Sequence, residues 1–106
     1  MNTPIFSEHW KDSEGNPAGG VTFGSGFTIS WQNGPLGRGT TRKSPNGAFV
    51  ENLIKASIDR LNFYQSSKFN CQENADALEL LIKALGCLES RTANRESRNV
   101  EGTHQL

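Results

Sequence analysis

The chain is poor in the residues that build metal centres, disulfides and nucleophilic sites. Its only cysteines are Cys71 and Cys87. On one helix their spacing would hold them about 24 Å apart, which excludes a disulfide and marks them as free thiols of a reducing compartment. The only histidines are His9 and His104; no ligand-spaced cluster forms, so no metal site and no cofactor are expected. No Ser or Cys has an evident His partner, and the carboxylates are scattered, which argues against an enzyme. No apolar run approaches the roughly 20 residues of a membrane span. The start, Met1-Asn2-Thr3-Pro4-Ile5, has neither the basic nor the apolar part of an export signal, so a protein that is neither exported nor membrane-spanning is expected.

Net charge is also missing. Eleven Lys and Arg balance eleven Asp and Glu, leaving no overall field to draw the chain onto DNA or an anionic membrane. The charges are segregated, however. From Gly15 to Val50 there is no acidic residue, while Arg38, Arg42 and Lys43 are basic, so any anion contact must be local. Apolar residues other than glycine make up 34% of the 106 residues, and with the eleven glycines added the share stays only just below the usual 45–50% of globular proteins, which counts glycine. One small domain with a thin core follows, its hydrophobic face either concentrated in a few elements or completed by a second subunit; a homo-oligomer, a dimer or a hexamer, is the expected state.

What is present divides into three stretches. Residues 1–20, rich in Ser, Asn, Gly and Pro, read as an irregular arm, with Trp10 docked on this chain's sheet or on a neighbour. Within 21–43, Val21, Phe23, Ser25, Phe27, Ile29 and Trp31 alternate with polar or small residues, the pattern of one half-buried strand. Asn33-Gly34 predicts a hairpin into a short return strand through Pro35, then a basic loop. Residues 44–104 read as a helical hairpin and tail. Ser44-Pro45 gives the first helix a cap and a first-turn proline, and Val50, Ile54, Ser57, Ile58, Leu61 and Tyr64 trace one face. After a break near 68–71, a second helix runs from about Gln72 to Arg98, with Leu78, Leu81, Leu85 and Leu88 at seam spacing and Asn99 or Gly102 as its stop. The expected fold is α+β: a small antiparallel β-hairpin or sheet followed by a two-helix antiparallel hairpin.

Four places carry candidate binding chemistry. Tyr64 and Asn74 flank the reversal of the helical hairpin and could face each other, a ring to stack on a purine and an amide to pair with its edge; equally, Tyr64 could seal the hairpin and Asn74 cap the second helix. Arg91, Arg95 and Arg98 share a face of the second helix's last turns, suited to clamping phosphate or simply to complementing the negative helix end. Gly34 to Gly39 could cradle an anion with Arg38, or be turn chemistry alone; it lacks the Gly-Lys-Ser/Thr ending of a Walker loop. Thr103 and His104 could contact a ligand or belong to a frayed terminus. On a continuous helix Asn74 and Arg91 stand about 25 Å apart and roughly 100° around the axis. One small ligand cannot touch both within a single chain, so if both bind they serve two sites or one pocket shared between subunits.

The order and spacing of Tyr64, Glu73-Asn74, Arg91 and Val100-Glu101-Gly102-Thr103-His104 resemble the helical-hairpin domain of the phage Thoeris anti-defence sponges, which capture cyclic ADP-ribose isomers. A more distant resemblance is to sponges that sequester the cyclic oligonucleotides of CBASS immunity. The likeness covers roughly residues 46–104, and 21–38 less specifically. It implies a non-enzymatic oligomer that binds cyclic ADP-ribose-type signals, with cyclic di- or trinucleotides as further ligands, in the cytoplasm of an infected bacterium. It also implies that Tyr64, with Phe63 beside it, is the stacking position and that Asn74 and Arg91 touch ligand. An interaction module and a signal-degrading enzyme are the alternatives.

Overall fold

A computed structural model describes residues 3–106. It shows a three-stranded antiparallel sheet followed by two helices, an α+β fold, in two compact units. The first unit runs up to Phe49 and resumes with Asn99–Leu106; the second is Val50–Arg98. The helical hairpin is thus inserted into the sheet unit, and the tail that the sequence suggested should go with the helices folds with the strands instead.

The sheet unit contains β1 (Ile5–Lys11), β2 (Pro17–Gly24) and β3 (Phe27–Trp31) in the order β1-β2-β3. The expected irregular arm is therefore largely strand. Alternation of Phe6, Glu8 and Trp10 with Ile5, Ser7 and His9 gives β1 no consistently apolar face, so its strand character comes from the ladder to β2. Asp12 closes the β1–β2 turn: one of its carboxylate oxygens accepts from the Glu14 and Asn16 backbone amides, each at 2.9 Å, and Gly15 takes the positive φ of 83° that the reversal requires.

The long strand expected from Val21 to Gln32 is broken at Ser25-Gly26. Gly26, with φ 88°, lets the chain reverse so that Gly24 pairs with Phe27 and Thr22 with Ile29. A two-residue turn changes the alternation, so Phe23 shares a face with Thr28 while Ile29 and Trp31 lie on the other. Asn33-Gly34 consequently starts no hairpin. The far edge of β3 is taken by Ala48, whose N–H donates to Ser30 O at 2.7 Å and whose carbonyl accepts from Gln32 N at 3.0 Å. Asn46 adds a reciprocal pair with Asn33: its Oδ1 accepts the Asn33 amide at 2.8 Å and its Nδ2 donates to Asn33 O at 3.0 Å.

These bonds also explain why Ser44-Pro45 opens no helix. Gly47 lies so close to β3 that a Cβ there would stand 2.5 Å from the Trp31 carbonyl carbon, and residues 46–48 gain more from the sheet edge than from a first helical turn containing glycine. The centre of the unit is small. Leu36, at 9% exposure, is the one buried hydrophobic residue among those described. Thr22 is also buried and links all three strands, its hydroxyl accepting from Trp31 Nε1 at 2.8 Å and lying 2.9 Å from Ser7 Oγ. Trp10 lies against Gly19, where its Cε3 would be 3.2 Å from an added Cβ, so it docks on this chain's own sheet.

In the second unit, α1 (Val50–Gln65) and α2 (Gln72–Ser97) pack against each other. Ile54, Ile58, Leu61 and Tyr64 on α1 and Leu78, Leu81, Leu85 and Leu88 on α2 are all half-buried, so the predicted seam faces inward. Yet neither helix has a buried residue. With 26 residues against 16, α2 is about 15 Å longer than α1. Asn99, at φ 59°, is the left-handed residue just beyond its end, the stop the sequence suggests.

Candidate functional site

The hairpin turn is built from local polar bonds. The Gln65 amide clasps Cys71 in both directions, Oε1 accepting the Cys71 N–H at 3.0 Å and Nε2 donating to the Cys71 carbonyl at 3.1 Å. Ser67 Oγ donates to Tyr64 O at 2.6 Å and accepts from Phe69 N at 3.1 Å. This fixes the last turn of α1 and the first of α2, which carry Tyr64 and Asn74.

Tyr64 is half-buried, and its ring lies 6.0 Å from that of Phe63 at an interplanar angle of 55°. Phe63 is 58% exposed. The Arg60 guanidinium carbon sits 4.9 Å from both ring centroids, within cation–π range of each. Arg60 precedes the two aromatics by three and four residues, the helical spacing that brings it onto their rings. Asn74 uses one amide hydrogen on Phe69 O at 3.4 Å, which closes the turn. Its Oδ1 has no partner among the described residues, so half of the amide is open to an incoming donor.

Arg91 is exposed and makes no ion pair among the described residues. Arg95, one turn on, is half-buried and engaged within the chain. Because α2 is continuous from Gln72 to Ser97, the separation of about 25 Å between Asn74 and Arg91 is a property of the molecule. One small ligand does not reach both in a single chain.

Arg38, Thr103 and His104 belong to the sheet unit. There the tail is bound to the basic loop by a dense set of contacts. Arg42 forks onto the Glu101 carboxylate at 2.6 and 3.0 Å, and Arg38 Nη1 donates to the Glu101 carbonyl at 3.0 Å. Gly37 N donates to Gly102 O at 2.8 Å. The Glu101 side chain is 17% exposed, so this pair is partly shielded from water. An anion arriving at Arg38 meets a carboxylate already in place. Glu101 thus holds the tail to the loop, and the acid-free stretch from Gly15 to Val50 is the signal that its cations need a carboxylate from elsewhere.

Thr103 Oγ1 donates to Val100 O and accepts from Gln105 N, turning the tail. His104 Nε2 stands 3.8 Å from Asp12 Oδ2. The Asp12 carboxyl is held below its ordinary value chiefly by the backbone N–H of Asn16, then by that of Glu14, with burial opposing and His104 a minor contributor. Among the described residues no group of three or more His, Cys, Asp and Glu could hold a metal, and no helix is long and apolar enough to cross a membrane.

These features define a small α+β protein in which a helical hairpin interrupts a sheet unit, with an aromatic–amide turn at the tip of the hairpin and a cation-lined final stretch of α2. No protein-family model matches the chain. It is similar to Thoeris anti-defense 1 of Bacillus phage SBSphiJ7, 47% identical over 78 residues that make up 74% of this chain and 52% of that protein. The chain belongs to the Thoeris anti-defence family, and it spans about half the length of this relative.

Proposed function

We propose that the chain is a phage anti-defence protein that binds cyclic ADP-ribose isomers in the bacterial cytoplasm and withholds them without turnover. The observation that carries this reading is the 47% identity to a protein named for Thoeris anti-defence. The hairpin turn supports it chemically. Tyr64 offers a ring to a base, Asn74 an unused amide oxygen to a base edge, and the arginines of α2 cationic forks to phosphate oxygens. Cyclic di- or trinucleotides carry the same base and phosphate chemistry and are the second ligand class. No cofactor is required for capture of this kind, which changes no covalent bond.

Assembly into a homo-oligomer, a dimer or a hexamer, completes the proposal. The seam leucines are only half-buried, and Leu80, Ile82, Phe69, Phe6 and Phe23 are exposed, so hydrophobic surface is left for further copies. The experiment is to incubate purified protein with cyclic ADP-ribose, remove the unbound ligand, heat the complex, and identify the released compound by mass spectrometry. Recovery of intact ligand is expected. Recovery of a cleaved product makes the protein an enzyme, and absence of uptake across cyclic ADP-ribose isomers and cyclic oligonucleotides makes it an interaction module.

A further inference from the structure

Arg60 has no role in the reading so far, and its surroundings are unusual for an exposed arginine. Among the described residues it forms no ion pair, although Asp59 adjoins it in sequence and Asp76 and Glu73 lie on the companion helix. Its guanidinium instead packs equally close to two rings, 4.9 Å from the Phe63 centroid and 4.9 Å from that of Tyr64. The rings are too tilted, at 55°, to stack on each other. A single guanidinium instead lies over both rings and joins them through two cation–π contacts.

We infer that Arg60 is a positioning residue of the Tyr64 site, a cation that holds the Phe63 and Tyr64 rings in place and biases the stacking surface toward nucleotides bearing phosphate. Two properties of the arrangement carry this. Tyr64 turns about two side-chain torsions, and a guanidinium against one part of its surface removes freedom that a ligand would otherwise have to remove on binding. In addition, among the described residues no carboxylate pairs with the guanidinium, so its charge remains over one side of the Tyr64 ring and next to any base stacked on that ring. An adenine with phosphates attached gains from that charge, whereas an uncharged nucleoside gains only the stack. A lysine at 60 would keep the charge and lose the planar guanidinium. The ligand half of this inference rests on the proposed function, but the ring-positioning half does not.

Two measurements separate them. In ligand-free protein, the Arg60→Ala and Arg60→Lys variants are compared with wild type by NMR of the Tyr64 and Phe63 ring resonances, with the melting midpoint as a check on folding. Ring shifts that move in both variants while the midpoint holds are expected; unmoved rings overturn the positioning role. Affinities for cyclic ADP-ribose and for adenosine are then measured by calorimetry at low and high salt. Arg60→Ala should lose about three- to tenfold in affinity for cyclic ADP-ribose, a loss that shrinks as salt rises, and change little for adenosine. Equal loss for both ligands at every salt concentration, or no loss for either, overturns the phosphate bias. If wild-type protein takes up neither ligand, the proposed function fails together with the phosphate bias, and the ring shifts alone decide the positioning role.

Discussion

Tyr64 and Asn74 show what a residue position can and cannot disclose. Both flank the reversal of the hairpin, as their place in the sequence implies, but Asn74 also closes its own turn through Phe69 O. The structural role uses an amide hydrogen, and the proposed binding role would use the amide oxygen. Tyr64→Ala and Asn74→Ala should each weaken cyclic ADP-ribose capture by about 1–3 kcal/mol, the range for a lost stack or base contact. Calorimetry at unchanged melting temperature tests this, and full affinity in both variants would move the base pocket elsewhere. Asp12 gives a second prediction at this scale. Its folded-state pKa lies below the ordinary 3.8, so whatever it contributes to the β1–β2 turn is present above that value and lost as pH falls through the lower, folded one. The Glu14 and Asn16 amide signals should titrate together with a midpoint below 3.8. A midpoint at or above it would mean that the carboxylate is not holding the turn.

At the scale of elements, the helices were far more legible than the strands. Seam leucines repeat over several turns of α2, so the helix pattern survives any local exception. Asn99 stops it through a left-handed backbone that few residues other than glycine accept. The sheet depends on single residues. Alternation reads the same whether the chain continues through Ser25-Gly26 or reverses there, and only the pairing of Gly24 with Phe27 decides. Likewise Ser44-Pro45 is a sound helix start that loses to hydrogen bonds from Asn46 and Ala48 to a strand edge distant in sequence. The tail escaped for the same reason, since nothing local indicates that Glu101 meets Arg42. Two glycines test the elements separately. At Gly102, with φ 79°, an added Cβ would run into the Gly37 carbonyl oxygen, so Gly102→Ala should destabilise the sheet unit by about 1–3 kcal/mol. At Gly86 nothing lies within 4 Å of an added Cβ, and Gly86→Ala should stabilise α2 by about 0.5–1 kcal/mol. Urea denaturation reads both. A loss at Gly86 would indicate that another copy approaches the helix closely at that point.

At the scale of the whole molecule, the continuity of α2 makes the distribution of the site a question about assembly. Asn74 and Arg91 are about 25 Å apart on one rigid element, so if both touch one ligand, the second residue comes from another copy. Two defective chains then complement each other. An Arg91→Ala chain and a Tyr64→Ala/Asn74→Ala chain should each capture little cyclic ADP-ribose alone. In a mixed two-fold pair, one pocket receives every wild-type group and its mate receives none, because each pocket draws on both chains. Half of the pairs in a random mixture are mixed and half of their pockets are complete, so co-refolded chains should recover about a quarter of wild-type capacity by that symmetry. Native mass spectrometry reports the subunit composition and the bound ligand in the same spectrum, which ties recovery to the mixed species. Capacity no higher than either parent, in a sample where mixed pairs are plainly present, would place the aromatic and amide groups in a pocket of one chain. Arg91 would then be left as the charge that complements the end of α2 or as part of a separate site.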